Sequence, residues 1–167
     1  MVVSAERVRE LRELTGAPIL ACKEALEEAG GSLDKAQEVL RQRGIALAKG
    51  LANRQTDQGV VHAYVHGEGR LGALIEVNCE TDFVARTEVF RSLAHDLAMQ
   101  VAAMNPVYIS PEDVPPGADG DPKDLCLLAQ PFIKDPSRAI NDLLLEASAK
   151  TGEKVQVRRF ARFELGS

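Results

Sequence analysis

Apolar residues recur every three or four positions through the first part of the chain, the period of one face of an α-helix. Val8, Leu11 and Leu14 form the first stripe, and Thr15-Gly16 closes it with a glycine stop. Pro18 suits a helix start, because its ring fixes φ and it has no N–H to leave unpaired. Ile19, Cys22, Ala25, Leu26 and Ala29 make a second stripe, broken by Gly30-Gly31. Ser32 is placed to cap a third helix with Leu33, Ala36, Val39 and Leu40 inward, Arg41 and Arg43 near its end and Gly44 beyond. Residues 1–45 therefore read as a three-helix bundle. A core that small is marginal, and such modules bind partners more often than they catalyse.

Residues 46–58 read as a linker, a short helix around Leu47 and Leu51 followed by the polar join Asn53-Arg54-Gln55-Thr56-Asp57. From residue 59 the period changes to two, the signature of strands. Val61, Ala63 and Val65 alternate with His62, Tyr64 and His66, and Leu71, Ala73, Ile75 and Val77 follow a glycine-rich turn. Two such runs around a turn predict a β-hairpin. A long helix is expected from Asp82 to about Met104, with Phe90, Leu93, Ala94, Leu97 and Val101 on one stripe. The Pro-, Gly- and Asp-rich residues 105–123 read as a loop, 125–128 as a short buried strand, and 136–150 as a helix. In the final strand Val155, Val157, Ala161, Phe163 and Leu165 form the apolar set. Residues 59–167 are thus an α+β core, a small antiparallel sheet packed with helices.

The strand-to-helix corner at Asn78-Cys79-Glu80-Thr81-Asp82-Phe83-Val84 carries the most chemistry. Thr81 fits an N-cap and Asp82 complements the positive end of a helix. Phe83 lies seven residues before Phe90, so periodicity assigns it to the core stripe. Its place in the first turn, overhanging the sheet, suits an exposed anchor for a partner instead. Periodicity and position point opposite ways here.

Composition narrows the choices. The chain has 167 residues, 45% hydrophobic and 27% charged, with only 4% aromatic and no Trp, so its core is aliphatic. A net charge of −5 disfavours a protein built to grip phosphate backbones. Cys22, Cys79 and Cys126 are odd in number and lack a CxxC spacing, which fits buried thiols in a reducing compartment. No secretion signal or bilayer-length apolar run is visible, so a cytoplasmic protein is expected.

Other candidate motifs weaken in context. Gly67-Glu68-Gly69-Arg70-Leu71-Gly72 has the letters of a dinucleotide loop, but a strand follows where a helix is required. His62 and His66 share a strand face without the further ligands zinc needs, so no metal site is assigned. No nucleophile-base order stands out, so no catalytic residue is assigned and no cofactor is expected. Arg158, Arg159 and Arg162 make the last strand basic, but without the aromatic platform of an RNA-binding sheet.

Two segments resemble a known family. Leu11-Arg12-Glu13-Leu14-Thr15-Gly16-Ala17-Pro18-Ile19-Leu20-Ala21-Cys22-Lys23-Glu24-Ala25-Leu26 is similar to the first signature of bacterial elongation factor Ts, and Glu76-Val77-Asn78-Cys79-Glu80-Thr81-Asp82-Phe83-Val84-Ala85 to the second. Gln130-Pro131-Phe132 and Arg159-Phe160-Ala161-Arg162-Phe163-Glu164 resemble its C-terminal part. The resemblance implies a non-enzymatic guanine nucleotide exchange factor for elongation factor Tu. It implies that the bundle is a ubiquitin-associated-like module, with Leu11, Ile19, Leu20 and Lys23 at its contact positions. It also implies that Thr81, Asp82, Phe83 and Val84 dislodge magnesium from the partner, Phe83 acting as a wedge. Membrane and direct nucleic-acid binding are not expected.

The chain departs from the family in four places. Pro18 replaces the usual glycine, and Lys49 is the only lysine in a connector that often has several. Residues 115–124 are too short and too rich in Pro and Gly for the usual helical hairpin. The Thr-Asp-Phe-Val segment occurs once, as in the short form of the family, which implies a homodimer supplying two core halves. The readings that compete with exchange are an adaptor module and an RNA-binding protein using the arginine strand.

Overall fold

The computed structural model describes residues 3–167, so Met1 and Val2, part of the stretch read for a secretion signal, lie outside the described residues. The chain forms two compact units. One comprises the residues up to Arg54 together with Leu145–Lys154, and the other Gln55–Leu144 with Val155–Ser167.

The first unit holds α1 (Ala5–Thr15), α2 (Ile19–Glu28) and α3 (Leu33–Leu51). The Ser4 and Ser32 side chains accept from the N–H groups of Arg7 and Lys35, capping α1 and α3. Gly16 ends α1 at φ 63°, a left-handed conformation that suits glycine. Val8, Leu11, Cys22, Ala25, Leu26 and Ala36 form the core. Leu14 does not join it, being 58% exposed at the last turn of α1.

The third helix does not stop at Gly44. It continues to Leu51, so the first part of the expected linker, residues 46–51, is an extension of this helix. Ile45, Ala46, Leu47 and Ala48 propagate helix well enough to absorb the glycine, whose cost is about 1 kcal/mol. Gly44 is buried, and a Cβ there would lie 4.0 Å from the carbonyl oxygen of Leu145. That is ordinary van der Waals contact, so the position would hold a small side chain, and the glycine does not terminate the helix. Lys154 Nζ donates to the Ala52 carbonyl at 2.7 Å, tying the returning segment to the end of α3.

The second unit is built on a three-stranded antiparallel sheet in the order β1 (Gln58–His66), β2 (Leu71–Cys79), β5 (Gln156–Glu164). The GxGxxG lettering falls at the β1–β2 turn and the start of β2, with Gly67 and Gly69 at positive φ. The long helix α5 (Glu88–Met104) packs on this sheet, burying Phe90, Leu93, Ala94, Leu97 and Val101 as its stripe requires. A short hairpin, β3 (Pro131–Phe132) and β4 (Asp135–Ala139), precedes α7 (Ile140–Thr151). The α+β class and the helical bundle therefore stand.

Several boundaries move for identifiable reasons. The expected helix from Asp82 is two helices, α4 (Asp82–Ala85) and α5. Helix α7 begins at Ile140, not Pro136, where Asp142 accepts from the Ala139 N–H at 2.9 Å and Asp135 ties down Ser137. Residues 125–128 form no strand. Cys126 makes one parallel bridge to Tyr108, and a 3-10 turn follows at Leu127–Ala129. The 105–123 loop contains a 3-10 turn at Pro111–Asp113, and the one-turn helix α6 (Pro122–Leu125) follows it.

Sheet faces are reversed relative to two of the sequence readings. Ala73, Ile75 and Val77 are the strongest apolar row and go inward against α5. Their antiparallel partners Tyr64, His62 and Val60 must share that face. Val61 and Val65 are thereby turned to solvent, at 66% and 63% exposure. On β5 the register shifts between Glu76 and Val77, where Arg158 is the extra residue. A one-residue bulge flips every later side chain. Val157 faces the core, whereas Ala161 and Phe163 face out.

Candidate functional site

The corner after β2 is built by consecutive caps. Cys79 is buried and its Sγ donates to the Thr81 carbonyl at 3.2 Å, turning the chain off the sheet. Thr81 is extended, and its hydroxyl accepts from the Val84 N–H, starting α4. Thr87 ends this turn and begins the next helix. Its hydroxyl donates to the Val84 carbonyl at 2.7 Å and accepts from the Phe90 N–H at 3.3 Å.

That arrangement decides the question left open at Phe83. A continuous helix would have aligned it with Phe90, but the break at Thr87 resets the phase. Ala85 is 6% exposed and anchors α4 to the core. Two residues on a helix are separated by about 200°, so an inward Ala85 sends Phe83 outward. Phe83 is 78% exposed, whereas Phe90 is fully buried. Asp82 is half-buried beside it, and its carboxylate meets Arg86 at 2.9 Å. Thr81 and Val84 are half-buried and shape the turn. The corner presents one large aromatic ring and one carboxylate at a fixed spacing.

The second predicted group lies in the first unit. Ile19 and Leu20 open α2 at 58% and 66% exposure, and Lys23 one turn later approaches Glu27 at 3.9 Å. Leu11 is fully buried in the bundle core and is not presented with them. Leu14 joins the exposed apolar set on the other side of the Gly16 turn. Its i, i+3 spacing from Leu11 hid it. The signal was its place in the last turn, next to the glycine stop.

Two further features escaped sequence reading. The outward sheet face carries Val61, Val65, Leu74 and Phe163, exposed by 45 to 71%. The three histidines gather around Tyr64: His62 and His66 come from β1 and His95 from α5. His62 Nε2 meets His95 Nδ1 on α5 at 3.1 Å, and the Tyr64 hydroxyl meets His66 Nδ1 at 2.9 Å. Burial, and then His95, hold His62 below its ordinary pKa. Among the described residues no group of three or more His, Cys, Asp or Glu side chains is arranged to hold a metal.

The arginines of β5 are engaged. Arg159 meets Glu76 at 2.7 Å, Arg158 meets it at 3.9 Å, and Arg162 meets Glu164 at 3.0 Å. The Arg159 hydrogen bond holds the Glu76 carboxyl below its usual range. Among the described residues no helix is long and apolar enough to cross a membrane.

A family model described as Elongation factor TS matches residues 8–118. The chain is 47% identical to elongation factor Ts of Carboxydothermus hydrogenoformans over 195 residues, covering 99% of this chain and 90% of that protein. It is 47% identical to the Moorella thermoacetica protein, covering 99% and 96%, and 44% identical to the Thermotoga petrophila protein, covering 99% and 98%. Each alignment is longer than the 167 residues of this chain, so these relatives carry residues with no counterpart here. The chain belongs to the elongation factor Ts family.

Proposed function

We propose that this chain is a cytoplasmic, non-enzymatic guanine nucleotide exchange factor that binds elongation factor Tu carrying GDP, displaces its magnesium and promotes GDP release. Family membership supports the class of activity, and the outward Phe83 beside Asp82 is the observation that carries the mechanism. An exchange factor binds the partner in a state that holds nucleotide poorly, and the antagonism is reciprocal. Each tenfold loosening requires about 1.4 kcal/mol of coupling. Burying one Phe supplies about 1.5–3 kcal/mol, so Phe83 accounts for roughly one or two orders of magnitude. Asp82 acts on the electrostatics of the metal site, where a bound cation dominates the local charge.

The remaining binding energy comes from a wider interface. The bundle acts as a ubiquitin-associated-like docking module through Ile19, Leu20 and Lys23, with Leu14 extending the apolar surface. Leu11 supports this surface from beneath. A homodimer forms through the outward face of the β1-β2-β5 sheet, whose solvent-facing aliphatic and aromatic residues form an association surface. Direct nucleic-acid binding is not part of this reading, because the β5 arginines are matched by Glu76 and Glu164.

Release of fluorescent GDP from elongation factor Tu tests the proposal. The rate should rise with added protein. An unchanged rate at saturating concentration rules the function out.

A further inference from the structure

Strand β1 is an edge of the sheet, and α5 packs across it. His62 comes from the strand, and His95 from the helix beside Ala94, which is fully buried. The packing of strand and helix therefore fixes where the two rings can go. His62 Nε2 and His95 Nδ1 stand 3.1 Å apart, with the ring planes at 85°. The Tyr64 ring backs His95 edge-on, with centroids 5.7 Å apart. His62 is half-buried and His95 is exposed, so solvent reaches the pair.

A neutral imidazole carries one N–H and one lone pair. As the rings stand, one donates and the other accepts. Once the donor carries its proton on its other nitrogen, two lone pairs face each other across the same gap, and a cation between them removes the repulsion. Burial, and then His95, keep His62 below its ordinary pKa, so its ring is neutral at neutral pH, as a metal ligand must be.

We propose that His62 and His95 together chelate one divalent transition-metal ion of the zinc, nickel or copper class, with water at its remaining positions. Bonds from such ions to imidazole are about 2.0–2.1 Å long, so nitrogens 3.1 Å apart subtend roughly 98° at the ion. That angle lies between the roughly 90° of an octahedral shell and the roughly 109° of a tetrahedral one. The nitrogens keep their separation, and the rings turn by roughly 40° to aim both lone pairs at the ion. Imidazole suits this class of metal. Magnesium takes oxygen ligands, so the pair is no resting place for magnesium released from a partner.

The surroundings fit an open site with two protein ligands. A cleft of about 400 Å³ opens beside His95, lined also by Glu88, Arg91, Ser92, Asp96 and Lys134, and leaves room for bound water. Its carboxylates are engaged: Asp96 meets Lys134 at 2.6 Å, and Glu88 receives the Ser92 hydroxyl at 3.4 Å. Sequence spacing pairs His62 with His66, but four residues of strand separate their backbones by roughly 13 Å. The Tyr64 hydroxyl also engages His66 Nδ1. The fold supplies His95 in its place.

Isothermal titration of the untagged full chain with nickel chloride, at neutral pH in a buffer that does not chelate, tests the pairing. One ion should bind per chain at micromolar concentration. His62→Gln and His95→Gln should each weaken binding at least about tenfold, since either leaves a single ligand. His66→Gln should stay within about twofold of the original. Nickel's unpaired electrons should broaden the ring signals of His62, His95 and Tyr64 in proton spectra before any others. Millimolar magnesium should leave the titration unchanged. Binding that survives either His62→Gln or His95→Gln, that His66→Gln removes, or that broadens other residues first places the ion elsewhere and overturns the proposal. So does displacement of nickel by magnesium, or no binding at millimolar nickel.

Discussion

Phe83 and Ala85 are neighbours but one, and the fold treats them oppositely because one turn of helix has only one buried side. Truncating Phe83 leaves no cavity, since the ring is 78% exposed. Phe83→Ala should change unfolding free energy by no more than about 0.5 kcal/mol. It should slow catalysed GDP release by roughly 10- to 100-fold. A large fall in melting temperature with exchange per folded molecule intact would make Phe83 a packing residue. Periodicity could not have placed this side chain, because it assumed one helix. Thr81 and Asp82 were legible as cap and dipole partner, since capping is local chemistry. His62 was not, because its contact with His95 joins elements 33 residues apart. Its folded pKa is depressed, so the unfolded chain takes up the proton first. The stability it contributes is present above its ordinary value of 6.5 and is lost as pH falls below it. Melting temperature should drop between pH 7 and pH 5, and His62→Gln should flatten that slope. Glu76, also depressed, acts in a lower window, below its ordinary 4.5.

At the scale of elements, the break between α4 and α5 depends on one hydroxyl. Thr87 both receives the Phe90 N–H and donates to the Val84 carbonyl, so it closes one helix and starts the next. Thr87→Ala should cost about 1 kcal/mol by chemical denaturation, as lost N-caps do. Thr87→Ser should restore most of it. A variant of unchanged stability would show that solvent or a neighbour caps α5 equally well. The strands were legible from their alternation, but not which side faces in. Alternation gives two candidate faces per strand, and only the pairing of β1 with Ala73, Ile75 and Val77 chooses between them. The bulge at Arg158 was invisible for the same reason, since a single extra residue leaves the apolar count of β5 unchanged. The hairpin and the α5 stripe were readable because both repeat their signal over many residues.

Over the whole molecule, the two units divide the proposed work, docking in one and the wedge in the other. Ile19→Ser combined with Leu20→Ser should leave the melting temperature within about 2 °C, since both side chains are exposed. The concentration giving half-maximal exchange should rise at least about tenfold while the maximal rate holds. A fall in maximal rate at unchanged half-saturation would assign these residues to the exchange step instead. The division between units was only partly legible, because sequence order suggests a bundle that ends before the strands begin. Leu145–Lys154 belongs to that bundle's unit, and nothing in its composition announces a return. The return sets a schedule for the nascent chain. Ala52 and the Lys154 ammonium that meets its carbonyl are 102 positions apart. At synthesis rates of about 5–20 residues per second, the first helices wait roughly 5–20 s for the last piece of their own unit. The segment that is made first is therefore among the last to be finished, and the ribosome holds nearly the whole chain before either unit is complete.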